Sequence, residues 1–164
     1  MTDSHNQTPS VLFVCLGNIC RSPTAQAVFE ASLARSPLAG RVRVDSAGTA
    51  AYHLGKAPDA RSQAAAKKRG YDLSQLRARQ VSREDFDRFD YILAMDSDNL
   101  AELDALAPES SRASVSLFLD YSDVSGLTNV PDPYFGGDTG FETVLDLCEQ
   151  ASSGLLAQLQ SRYL

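Results

Sequence analysis

The chain has 164 residues, 43% hydrophobic and 22% charged, which describes one folded domain with a substantial core and excludes a disordered or fibrous polymer. No apolar run approaches the ~20 residues needed to span a bilayer, and the N-terminal MTDSHNQTPS lacks the basic start and apolar stretch of a secretion signal, so a cytoplasmic protein with no membrane span is expected. A net charge of −6 and a pI near 4.8 argue against non-specific nucleic-acid binding, although a local site can still attract an anion.

Residues 1–9 are polar and read as a flexible tail, with one domain from 10 to 164. Val11-Leu12-Phe13-Val14 is a short β-favouring run that predicts a buried strand. Ser22-Pro23 is expected to open a helix, Ser as its cap, with Ala25, Val28, Phe29 and Leu33 on one face. Arg41-Val42-Arg43-Val44 alternates as a second strand, and a loop through Tyr52 leads to a helix over 59–69 closed by Gly70. Tyr91-Ile92-Leu93-Ala94 reads as the third strand. A helix capped by Asp96 or Ser97 follows, with Leu100, Leu103 and Leu106 inward. Val115-Ser116-Leu117-Phe118 reads as the fourth strand. After a long loop, Thr139-Gly140-Phe141-Glu142 matches a capping box, and Phe141, Val144, Leu145, Cys148, Leu155 and Leu159 recur at helical spacing. Strands alternating with helices predict an α/β single-domain three-layer fold, a central four-stranded parallel sheet flanked by helices. In such sheets ligands bind beyond the carboxyl ends of the strands.

The first strand runs into Cys15-Leu16-Gly17-Asn18-Ile19-Cys20-Arg21-Ser22, at the start of a helix. A helix N-terminus offers free N–H donors and the positive end of the dipole. Gly17 and Asn18 tolerate positive φ, which can curl successive N–H groups into a concave nest. Arg21 adds a planar fork matched to phosphate oxygens, and Cys15 would lie at the bottom of the ring, where the surrounding donors favour a thiolate. A buried structural thiol is the plainer role for a cysteine after a strand. The joint placement of Gly, Asn, Arg and Ser favours an anion site with a nucleophile inside it. The segment lacks the Walker Lys-Ser/Thr and the GxGxxG spacing of nucleotide-binding loops. Three cysteines at unrelated spacings do not form a disulfide framework.

Expelling an alkoxide or phenolate needs a proton. Of the two histidines, His5 lies in the tail and His53 in a loop with no evident partner. Asp132 is the better donor, stiffened by Pro133 and flanked by Tyr134 and Phe135, although an Asp-Pro pair alone is more often a turn.

The octapeptide resembles the C-x-G-N-I-C-R-S-P signature of the low-molecular-weight protein tyrosine phosphatases. The resemblance continues through Asp45–Gly48, Ala78–Phe86, Phe89–Asp96 and Asp132–Gly136, nearly the whole chain after residue 10. It implies a metal-independent, cofactor-free phosphatase acting on phosphotyrosine proteins, with a monomer assumed. Cys15 would be the nucleophile, Arg21 and the amides of Leu16, Gly17, Asn18, Ile19 and Cys20 the phosphate ligands, and Asp132 the general acid and base. The family comparison also implies that Ser22 eases departure of the sulfur and that Asn18 and Ser46 hold the loop open. Leu16, Ile19, Tyr52, Tyr134 and Phe135 would wall a slot that a phenyl ring fills and a phosphoserine does not reach across. In the family a second cysteine, here Cys20, can form a reversible disulfide with the nucleophile; a loop-filling side chain is the plainer role. Cys148 reads as core.

Two positions depart from the better-known eukaryotic pattern. Phe135 replaces the second of two tyrosines, leaving Tyr134 as the one candidate for phosphorylation there. Leu76 stands where a histidine can support the loop asparagine. The nearest rival is a protein arginine phosphatase on the same scaffold, which tends to carry threonine where this chain has Ile19. A thiol-dependent arsenate reductase would need two relay cysteines, of which Cys148 is the only one left over. A phosphocarrier would not want Arg21 and Asp132 speeding hydrolysis.

Overall fold

The computed structural model describes residues 8–123, 126–134 and 137–164. The expected tail, including His5, falls almost wholly outside them. Four strands form one sheet: β1 (Ser10–Cys15), β2 (Arg43–Gly48), β3 (Tyr91–Ala94) and β4 (Ser114–Leu117), in the order β2-β1-β3-β4 and parallel throughout. Each crossover carries a helix, because parallel neighbours cannot be joined by a tight turn. The helices are α1 (Arg21–Ala34), α2 (Ala60–Lys68), the short α3 (Asp85–Arg88), α4 (Ser97–Leu106) and α5 (Asp138–Tyr163), with a 3₁₀ turn at Phe118–Tyr121.

β1 is apolar along Val11–Val14 because both faces are covered. Val11 and Phe13 point into a core shared with α1, α2 and α5, whereas Leu12 and Val14 point into a second core with Phe86, Phe89 and Leu103 of the α3 and α4 side. Phe13 meets the rings of Phe29 and Phe118 edge-on at 5.8 and 4.9 Å. Truncating such a ring costs about 3–5 kcal/mol. The expected three-layer α/β fold is therefore present, and the sheet leaves Cys15 at the carboxyl end of a central strand.

Several boundaries differ from the sequence expectation. β2 does not stop at Val44 but runs to Gly48, paired residue for residue from Ser10↔Arg43 to Cys15↔Gly48. Its polar Asp45 and Ser46 hide it from an apolar pattern, while the ladder with β1 decides the outcome. β4 is shifted one residue earlier, and Phe118 opens the 3₁₀ turn, its ring packed on Phe13. The cap of α1 is Cys20, not Ser22, and Asp96 caps α4 by accepting from the Asn99 N–H at 2.7 Å. α5 begins at Asp138 with Gly137 as its cap and no side-chain capping bond, so the expected capping box does not form. Thr139 already lies inside the helix, where its carbonyl accepts from Thr143 Oγ1. Asp59 caps α2 through the Arg61 N–H, and Gly70 (φ 90°) follows that helix as expected. The four-residue α3 was too short to leave a periodicity.

Candidate active site

Residues 16–20 cross from the end of β1 to the N-terminus of α1, so the helix dipole and the first N–H groups converge on the ground above Cys15. Among the described residues, the main-chain N–H groups of Gly17, Ile19 and Cys20 meet no protein acceptor. Asn18 takes the left-handed conformation (φ 57°) that curls the loop. Gly17, expected to share that role, has no positive φ. A Cβ there would stand 2.9 Å from His53 Cδ2, so the imidazole would have to shift. Gly48 is under tighter constraint: a Cβ would meet the Leu16 carbonyl oxygen at 2.6 Å.

The Cys15 Sγ lies 3.0 Å from Ser22 Oγ and accepts from the Asn18 N–H at 3.3 Å. Because α1 starts before Ser22, that hydroxyl is not consumed as a cap and faces the sulfur. Asn18 Nδ2 donates to Ser22 Oγ (2.8 Å) and Ser46 Oγ (3.0 Å), and Ser46 in turn donates to the buried Gln26 Oε1 (2.7 Å). Leu76 packs against the core, and the Asn18 side-chain Oδ1 accepts from the Arg79 main-chain N–H at 3.0 Å. The Arg79 guanidinium is itself fixed by bidentate bonds to buried Asp85 (3.0 Å each) and one to Asp45 (3.1 Å). The expected scaffold of Asn18 and Ser46 thus has two further members, Gln26 and Arg79, that no spacing rule marked.

Arg21 is buried, its side chain 3% exposed. Its Nη1 donates to Asp96 Oδ2 at 2.6 Å and to the Val130 carbonyl at 3.0 Å, and its Nη2 lies 3.7 Å from Asp132 Oδ2. Burial works against the guanidinium charge, but Cys15, Asp96 and Asp132 together outweigh it and hold the Arg21 pKa above its ordinary value. From the sequence Asp96 is expected only as a possible helix cap. Its position at the carboxyl end of β3, beside Cys15 at the end of β1, was the available signal.

Cys15, Leu16, Gly17, Ile19, Cys20, Arg21, Tyr52, His53, Asp132 and Tyr134 line one cleft of about 140 Å³. The structure therefore brings together most of the residues singled out from the sequence. Ser22, Asn18 and Ser46 lie beneath the floor, and Phe135 lies outside the described residues. Tyr52 stands at the rim, 73% exposed. His53, which sequence reading set aside, lines the cleft, its ring 6.4 Å from Tyr52 and 6.3 Å from Tyr134. Its place beside Tyr52 was the missed clue. Asp132 Oδ1 accepts from the Tyr134 N–H at 3.0 Å, an Asx turn that fixes the carboxylate. Cys20 is a free buried thiol, pushed up to about 12, chiefly by burial and against the lowering effect of a bond with Ser62. Cys148 is fully buried in the α5 core. Among the described residues, no group of three or more His, Cys, Asp or Glu is placed to hold a metal, and no helix is long and apolar enough to cross a membrane.

Comparison with known proteins extends this picture beyond the cleft. A low molecular weight protein-tyrosine-phosphatase of Bacillus subtilis, YfkJ, is 43% identical over 151 residues, covering 92% of this chain and 96% of that one. A crystal structure of a protein tyrosine phosphatase from Entamoeba histolytica superimposes with a TM-score of 0.90 at 42% identity, covering 95% of this chain and 99% of that one. A Drosophila arginine phosphatase superimposes with a TM-score of 0.85 at 34% identity, covering 90% of this chain and 96% of that one. The family model for low molecular weight phosphotyrosine protein phosphatases matches residues 10–163. A loop of this conformation on this sheet, matched over almost the full chain, places the protein in the low molecular weight phosphotyrosine protein phosphatase family.

Proposed function

We propose that the chain hydrolyses phosphotyrosine in proteins through a cysteinyl-phosphate intermediate. The observation that carries this reading is the Cys15 sulfur on the floor of the cleft, held by the Asn18 N–H and Ser22 Oγ, with Arg21 and Asp132 beside it. The Cys15 thiolate attacks phosphorus and an S–P bond forms as the ester P–O bond breaks. The loop amides and the Arg21 fork stabilise the charge on the phosphoryl oxygens. The Asp132 carboxyl gives its proton to the leaving phenolate oxygen and, as carboxylate, then takes one from the water that attacks the intermediate. Ser22 donates to the departing sulfur. A phenyl ring suits the slot between Leu16, Ile19 and Tyr134, and the bulk of Ile19 disfavours the longer, branched guanidinium of phosphoarginine.

The test is phosphate release from a phosphotyrosine peptide and a phosphoarginine peptide in parallel, with chelator and reductant present. Faster phosphotyrosine turnover is expected, lost in Cys15→Ser while inorganic phosphate still binds. Faster phosphoarginine turnover would retain the chemistry and move the substrate to that of the Drosophila neighbour. Release from neither peptide would end the phosphatase reading.

A further inference from the structure

We propose that Arg61 is a positioning residue for Asp132, an inference that rests on the phosphatase reading above. The segment bearing Asp132 is pinned at one end by Val130, whose N–H donates to the Met95 carbonyl at 2.7 Å and whose carbonyl accepts from Arg21. At the other end the anchor is Arg61. Its Nη2 donates to the Tyr134 carbonyl at 3.1 Å, and its guanidinium lies 5.5 Å from the centre of the Tyr134 ring and 4.9 Å from that of Phe141. The same group makes a bidentate pair with Asp59, Nε to Oδ1 at 3.1 Å and Nη2 to Oδ2 at 3.0 Å. Asp59 is tied in turn to the phosphate loop, because its main-chain N–H donates to the Ile19 carbonyl at 2.8 Å.

These contacts form a continuous path from the loop that carries the phosphate ligands to the peptide that orients the acid. The Tyr134 N–H holds Asp132 Oδ1, and the Tyr134 carbonyl is held by Arg61. Arg61 therefore fixes one end of the peptide that bears the proton donor, as Val130 fixes the other. Its chemistry is specific: a planar guanidinium can fork onto a carboxylate in its plane while its faces meet aromatic rings, and an ammonium cannot do both. Arg61 is 44% exposed, so packing of the core does not call for it. Misplacing the acid harms the substrates that need protonation most, so the loss should grow as the leaving phenol becomes less acidic.

The experiment measures kcat over a series of aryl phosphates whose phenols span a range of acidity, for wild type, Arg61→Ala, Arg61→Lys, Asp132→Ala and the double variant Arg61→Ala/Asp132→Ala. For Arg61→Ala the expected loss is about twofold or less with the most acidic phenol and on the order of tenfold with the least acidic. Arg61→Lys should recover little of it, and thermal melts should show both variants folded. In the Asp132→Ala background, removing Arg61 should add less than about a twofold loss, since the two act as one unit. A loss equal for all phenols, rescue by lysine, or a full additional loss in the double variant would overturn the assignment while leaving the phosphatase reading intact. Wild type that turns over no aryl phosphate would overturn that reading and this one with it.

Discussion

Arg21 has its charge in a nearly closed site, and Asp96 divides its two oxygens between that charge and a helix. Oδ1 accepts from the Asn99 N–H and caps α4, while Oδ2 takes the 2.6 Å bond from Arg21. The two duties can be separated. Asp96→Ser restores a good cap, worth about 1 kcal/mol over alanine, but a hydroxyl carries no charge to pair with the guanidinium. Asp96→Ser is therefore expected to melt at a higher temperature than Asp96→Ala while both lose phosphate affinity. On the proposed mechanism both should also lose kcat by between about tenfold and about a hundredfold, because the Arg21 fork swings away from the position assigned there to the transferring phosphoryl group. Competitive inhibition by inorganic phosphate and thermal melts check the two halves. Wild-type phosphate affinity in Asp96→Ser would show that the Val130 carbonyl alone suffices to aim Arg21.

At the scale of elements, the end of β2 and the loop 16–20 are built against one another. Gly48 pairs with Cys15, bridges to Gln80, takes an N–H bond to the Arg79 carbonyl at 2.9 Å and accepts from the Val81 N–H at 2.8 Å. A Cβ on Gly48 would also stand 3.1 Å from the Asn18 nitrogen, so the obstacle is backbone on several sides and no rotamer change relieves it. Gly48→Ala should keep the far-ultraviolet circular dichroism of the fold and lose most turnover, since Leu16–Asn18 must lift away from their places above Cys15. Normal turnover in that variant would mean that the loop geometry is less demanding than the contact implies. This juxtaposition explains what could be read in advance. Cys15, Arg21 and the loop lie in one contiguous stretch, so their chemistry was visible from spacing. The β1 and β3 patterns were visible because both faces of the sheet are dry, whereas the first nine residues of α1 are buried all round and its start was legible only from Ser22-Pro23. Gln26, Arg79 and Asp96 reach the site through hydrogen bonds that span 20, 61 and 75 residues, and His53 through its ring contact with Tyr134; no periodicity encodes these. The missed extension of β2 has the same origin: Asp45 and Ser46 look like loop because their partners, Arg79 and Asn18, are distant in sequence.

The whole molecule is acidic, with a net charge of −6, yet the fold holds several weak acids, buried or half-buried, in their neutral form. Cys20 in the cleft wall, Tyr71 beyond α2 and Tyr163 at the end of α5 are each pushed up to about 12 from reference values of 9.0 for the thiol and 10.0 for the phenols. Burial is the largest cause in all three. Glu149, which accepts from the Tyr71 hydroxyl at 2.6 Å, adds to it for Tyr71, and the Tyr91 hydroxyl at 3.4 Å adds to it for Tyr163. A pKa raised by folding means that the protonated group is stabilised in the native state, so its contribution is complete below the unfolded value. As pH rises from about 9 or 10 towards 12, the unfolded chain gives up these protons first and stability falls. The urea midpoint should therefore decline steadily across that window, and ultraviolet absorbance should show Tyr71, Tyr121 and Tyr163 ionising late. General repulsion on an already acidic chain would also lower the midpoint, so Tyr71→Phe separates the causes. That variant loses the bond to Glu149 and starts less stable at pH 8, but its decline between pH 10 and 12 should be shallower than that of wild type. Parallel declines in the two proteins would assign the alkaline loss to net charge rather than to the Tyr71 phenol.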